Sequence, residues 1–193
     1  MKKVSILLII ILSIALIFTG CSAPAPSQSP ATAKDDTVAD LKDFTLTIVA
    51  GENVYTFTKE DLAALTLKEF ETETMKGEEL DKTYWKGVSF SDVFALKNVT
   101  FSAGSSFVFT SLPPGPDIEP FVQRDNTGCS IDSYYLALFL KDSDSLYKVY
   151  NISIKDKEGN KAQVSGIRNI CTEQNYKTYW VKGLAKIEII NEE

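Results

Sequence analysis

With no histidine in its 193 residues, this chain must draw any chemistry from three cysteines, two arginines, and its carboxylates, lysines and tyrosines. The absence removes Ser-His-Asp and Cys-His nucleophile arrangements. It also removes the commonest ligand of zinc, copper and non-haem iron. The two arginines stand shortly ahead of two of the cysteines, in Arg124-Asp125-Asn126-Thr127-Gly128-Cys129 and Arg168-Asn169-Ile170-Cys171. A disulfide and a pair of separate buried thiols are both open to Cys129 and Cys171. If they are bonded, their Cα atoms lie within about 7 Å, and both guanidinium groups can converge on one site. Two such forks suit a carboxylate, phosphate or sulfate. The plainer outcome is that each arginine pairs with a nearby acid, such as Asp125 or Glu173. Two aromatic pairs complete the set, in Lys82-Thr83-Tyr84-Trp85 and Lys177-Thr178-Tyr179-Trp180. Exposed, these rings stack on a sugar or a flat ligand; buried, they are large core side chains with polar tips.

The remaining cysteine has a different fate. Lys2 and Lys3 precede an apolar run from Val4 to Phe18, and Thr19-Gly20-Cys21 follows. A basic start, an apolar stretch and small residues at its end describe a secretory signal. The run is shorter than the roughly 20 residues a spanning helix needs. Leu16-Ile17-Phe18-Thr19-Gly20-Cys21 resembles a bacterial lipobox, which implies a diacylated Cys21 at the new N-terminus after cleavage. The expected organisation is a leader over 1–20, a lipidated tether over 21–40 and a domain over 41–193. Two acyl chains give stable anchoring where one gives only marginal binding. The expected location is therefore the extracytoplasmic face of the cell membrane, with Cys21 as the anchor. Losing Lys2 and Lys3 with the leader takes the formal charge from −6 to −8. Such acidity argues against a nucleic-acid partner, whose phosphates call for a basic face.

The elements that must position these residues are mostly short strands. Ser22 to about Asp40 is rich in Pro, Ser and Ala and lacks large apolar side chains, so it reads as a tether. Phe44, Leu46 and Ile48 alternate with Thr45 and Thr47, as in a half-buried strand. Gly51-Glu52-Asn53 turns the chain into a returning strand over Val54 to Phe57. Helix starts are expected at Thr58, with Asp61 three residues on, and at Ser89-Phe90-Ser91-Asp92. Strands are expected over Phe70 to Met75, Ser105 to Thr110, Tyr147 to Ile154 and Leu184 to Ile190. Pro113-Pro114-Gly115-Pro116 marks a loop. Tyr134 to Leu140 is apolar on both faces, so period alone does not separate helix from strand. Asp142-Ser143-Asp144-Ser145 lacks the glycine and terminal glutamate of a calcium loop and reads as a solvated turn. Many strands with two small helices predict a sheet-dominated α+β domain.

Three stretches carry a family resemblance. They are Phe57 to Leu65, Thr83-Tyr84-Trp85-Lys86-Gly87-Val88-Ser89-Phe90-Ser91-Asp92-Val93-Phe94, and Gly166-Ile167-Arg168-Asn169-Ile170 followed by Tyr179-Trp180-Val181-Lys182-Gly183-Leu184-Ala185-Lys186-Ile187-Glu188-Ile189. In this order they resemble the molybdopterin-binding domain of the sulfite oxidase family, in its short bacterial form. The resemblance implies a sulfite-oxidase-like fold, a molybdopterin cofactor and an oxidoreductase activity. In that family a cysteine ahead of the "Y-x-G-V" segment holds molybdenum, and histidines and arginines hold the pterin phosphate. Here Glu71 to Gly77 contains no cysteine, and only two arginines remain. The expectation is a relative that kept the scaffold without the cofactor and serves as a binding or accessory module. Its partner would be a small anion at Arg124 and Arg168, or a protein. A molybdopterin oxidoreductase using Cys129 or Cys171 as metal ligand is the alternative. Carbohydrate or cell-wall binding through Tyr84, Trp85, Tyr179 and Trp180 is a further one.

Overall fold

In a computed structural model, the described residues are 33–193, apart from 77–78, 103, 126–127, 175–179 and 192–193. The expected leader over 1–20, the expected lipidation site Cys21 and Tyr179 lie outside them. Alternation builds the first sheet. β1 (Leu46–Ala50) turns Leu46, Ile48 and Ala50 inward, and a turn at Gly51, with φ of 59°, sends the chain back along β2 (Asn53–Phe57). β5 (Ser106–Ser111) buries Phe107 and Phe109, and β12 (Leu184–Ile190) buries Leu184, Ile187 and Ile189. With β6 (Val122–Arg124) they form a five-stranded sheet in the order β2-β1-β12-β5-β6, in which β1 and β12 run parallel.

A long hairpin of β3 (Lys68–Lys76) and β4 (Glu79–Ser89) starts the second sheet. β7 (Tyr134–Lys141) lies between β4 and β11 (Arg168–Cys171), and β8 (Tyr147–Val149) adds to β7. The ambiguous stretch is thus a strand, and its two apolar faces serve two cores. Leu136 and Leu138 enter the main core between the sheets; Ala137 enters a smaller cluster with Trp85, Tyr150, Ile170 and Trp180. Register shifts opposite Lys86 and Gly87. That irregularity lets Leu138 and Phe139 both reach the main core, which strict alternation forbids. The expected strand over Tyr147 to Ile154 is two strands, because Tyr150 turns inward between β8 and β9 (Asn151–Lys155). β9 pairs with β10 (Lys161–Ser165) as a separate hairpin.

Both expected helices form, each from its cap. Thr58 N–H donates to Asp61 Oδ2 at 2.8 Å at the start of α1 (Lys59–Ala63), and Ser89 Oγ accepts from Asp92 N–H at 3.2 Å at the start of α2 (Phe90–Leu96). Phe90 leaves its cap pointing into the main core, where it meets Phe94, Phe107, Phe109 and Tyr134.

The tether ends earlier than the sequence suggests. Asp35 Oδ1 accepts from Tyr147 N–H at 2.9 Å, Asp36 Oδ2 accepts from Val149 N–H at 2.8 Å, and Asp36 N–H donates to the Tyr147 carbonyl at 2.8 Å. Residues from Lys34 onward therefore belong to the folded unit. The segment has no apolar periodicity because it is held by carboxylates satisfying a strand edge, not by burial.

Candidate functional site

Arg168 opens β11, which places it at one edge of the β11–β7–β4 sheet, across from Ala137. It is 6% exposed. Its guanidinium carbon lies 5.7 Å from the Trp85 ring centre and 5.3 Å from that of Trp180, so two indoles clasp the cation. Trp85 is fixed by its Nε1–H donating to Thr72 Oγ1 at 3.1 Å, and its ring meets Tyr150 edge-on at 5.6 Å. Trp180 is held by the chain beside it, where Val181 N–H donates to the buried Asn169 Oδ1 at 2.6 Å.

The electrostatics are unusual for an arginine. Burial pulls the Arg168 guanidinium below its ordinary value, and the Tyr150 phenol works against that pull through its charge and a hydrogen bond. Burial likewise pushes Tyr150 up, opposed by Arg168. A guanidinium stays protonated in such surroundings. Yet its buried Nε has no acceptor among the described residues, and neither has the Nε1 of Trp180. Both groups line an open cavity of about 1050 Å³, whose walls include Leu112, Phe121, Leu140 and Ile152. Lys182 and Glu119 stand exposed at its rim.

The predicted residues are thus regrouped. Arg124 is exposed on β6 and lines a second cavity of about 720 Å³ with Asp125 and Cys129, so the two arginines do not share a site. Cys129 and Cys171 do come together. Both sulfurs and a Glu173 carboxylate oxygen lie within 4.8 Å of one another. Arg168 does not follow Cys171 there, because side chains three apart on a strand point to opposite faces. Trp85 and Trp180 are 2% and 3% exposed, which leaves no open ring for a sugar; their stacking partner is Arg168. Tyr84 is exposed, with Lys141 Nζ 5.3 Å from its ring centre. Tyr150 and Lys182 escaped the sequence reading. The inward break in alternation at Tyr150 was the signal available for the first.

No protein-family model matches the sequence, and no curated protein matches it. Among solved structures, the chain is similar to the sulfane dehydrogenase SoxCD of Paracoccus pantotrophus, with 15% identity and a TM-score of 0.50. The match covers 83% of this chain and 40% of that one, so this chain spans well under half of its relative's length. The protein is a sheet-dominated α+β domain with few helices, distantly related in fold to that enzyme.

The resemblance noted in the sequence implies a molybdenum–pterin group, and the donors here do not fit it. Among the described residues, no cysteine lines the Arg168 cavity and none lies on β3. The two thiols belong to the opposite face of β11. One buried guanidinium with an indole N–H can hold an anion but offers no thiolate to a metal.

Proposed function

We propose that this chain is a lipid-anchored extracytoplasmic binding module, built on a sulfite-oxidase-like molybdopterin-binding fold, that takes a small anion onto Arg168. The observation that carries this reading is the guanidinium itself, buried between two indoles with no acceptor for its Nε among the described residues. Arg168 has the Tyr150 phenol and two ring faces but no carboxylate in contact among the described residues, and removing one member of a buried ion pair costs roughly 3–5 kcal/mol. An anion entering the cavity supplies the missing charge through short, charge-assisted hydrogen bonds. Trp180 Nε1 offers a second donor, and the apolar walls favour a ligand with a flat or apolar body. The role is binding or accessory, for the anion itself or for a protein that presents one, without catalysis of its own.

The chain contains two tryptophans, Trp85 and Trp180, and both flank Arg168, so intrinsic fluorescence reports on the site directly. Full-length protein in detergent is titrated with sulfate, phosphate and benzoate at constant ionic strength. Saturable quenching by at least one is expected. Arg168→Gln should weaken it by roughly 30-fold or more, the low end of what truncating a buried charged partner costs. Arg124→Gln should titrate like wild type. Identical curves for wild type and Arg168→Gln sink the reading.

Anchoring is tested separately. No helix among the described residues is long and apolar enough to cross a membrane. The wild-type protein is expected in the membrane fraction, cleaved before Cys21 and carrying diacyl mass. Cys21→Ser should remain uncleaved and unacylated. Recovery of wild type and Cys21→Ser with the same unmodified mass removes the lipid anchor.

A further inference from the structure

The face of β11 turned away from Arg168 carries a second constellation. Cys171 ends the strand and is buried, Cys129 follows Gly128, whose φ is 68°, and is half-buried, and Glu173 sits exposed in the turn after β11. Their two sulfurs and a carboxylate oxygen all lie within 4.8 Å of one another. Neighbouring bonds hold this geometry. The buried Ser133 donates from its hydroxyl to Glu173 Oε1 at 2.5 Å, Gln174 Nε2 donates to Cys129 Sγ at 3.4 Å, and Thr172 N–H donates to the Ser133 carbonyl at 3.0 Å.

We propose that Cys129, Cys171 and Glu173 bind one thiophilic divalent cation of the zinc class, as two thiolates and a carboxylate with a fourth position left to water. Tetrahedral zinc with sulfur at about 2.3 Å and oxygen at about 2.0–2.2 Å sets its ligand atoms roughly 3.5–3.8 Å apart, inside the observed spread. A disulfide would use only two of the three groups. The carboxylate's convergence on both sulfurs, with Ser133 orienting it as outer partners orient ligating carboxylates, is what favours a cation. Without one, three groups that are negative when ionised repel. Binding releases the two thiol protons to solvent as the two sulfur–metal bonds form. The ion has a way in, because Cys129 lines the 720 Å³ cavity and Glu173 is exposed. The chain's net charge of −6 favours its approach. This site shares no residue with the Arg168 cavity, so each stands or falls alone.

Full-length protein is reduced, stripped of metal with a chelator, desalted without oxygen and titrated with cobalt(II), then with zinc(II). A thiolate-to-cobalt charge-transfer band should saturate at one ion per chain and be bleached by one equivalent of zinc. The band should vanish in Cys129→Ser and Cys171→Ser, and Glu173→Gln should bind about tenfold or more weakly, at the low end of the penalty for disturbing a metal site. Cys129→Ser, at the half-exposed position, decides the matter if Cys171→Ser fails to fold. The assignment is overturned by any of three results: a reduced wild type with no charge-transfer band, Cys129→Ser binding both ions like wild type, or unchanged affinity in Glu173→Gln. A Cys129–Cys171 disulfide that survives the reductant overturns it as well.

Discussion

Arg168→Met should unfold at a higher temperature than wild type in anion-free buffer, while losing the rise in midpoint that a bound anion confers. Methionine keeps the length and apolar contact of the arginine stem between Trp85 and Trp180. It removes a buried charge whose favourable contacts are the two indole faces and the Tyr150 phenol. Replacing buried charge by well-packed apolar groups stabilises by about 1–4 kcal/mol. The lost Tyr150 hydrogen bond and the two lost cation–π contacts offset part of this. We expect a net gain of about 1–2 kcal/mol, or roughly 3–6 °C for a domain of this size. Wild type with ligand at a hundred times its dissociation constant should gain about 2.7 kcal/mol, and the variant none. Thermal unfolding of both proteins, with and without the quenching anion, measures all four quantities. A variant several degrees less stable than wild type would assign Arg168 to the scaffold and not to a ligand.

Gly87→Ala carries the largest expected loss of stability. A Cβ at this position would stand 2.0 Å from the Leu136 carbonyl oxygen and 2.9 Å from the Ala137 Cα. Both contacts are with backbone of the paired strand, so no side chain can swing aside. β4 and β7 must separate where register shifts, and Ala137 links that point to Arg168 on the next strand. The cost should reach about 3 kcal/mol, at the upper end for overpacked cores. In urea the midpoint should fall with little change in slope. The anion-dependent quenching should weaken too, because Trp85 lies two residues away on the displaced strand. An unchanged midpoint would mean that the two strands are not pinched at Gly87.

Strands with one wet face were legible. β1 and β5 alternate cleanly, and β12 does so from Ile187 onward, past the register shift between Leu184 and Lys186, because each faces the main core on one side only. Both helices were legible from their caps, since Thr58 with Asp61 and Ser89 with Asp92 are local interactions. β7 was not, because it is covered on both faces and its period is erased. β11 was not recognised either, although its strand geometry dictates that Arg168 and Cys171 part company. The N-terminal segment 34–40 was misplaced because Asp35 and Asp36 act through hydrogen bonds to β8, which leave no apolar pattern.

Residue content alone decided that no histidine chemistry is available, that an apolar run from Val4 to Phe18 leads into Thr19-Gly20-Cys21, and that strands dominate the domain. It also supplied every group of both candidate sites. Which groups meet was decided only by the paired strands. β4, β7 and β11 carry Trp85 and Arg168 to one face, where Trp180 joins them, while β11 turns Cys171 to the other face beside Cys129 and Glu173. The physical reason is that side-chain direction in a sheet depends on register and parity across strands distant in sequence, and neither is encoded in local spacing.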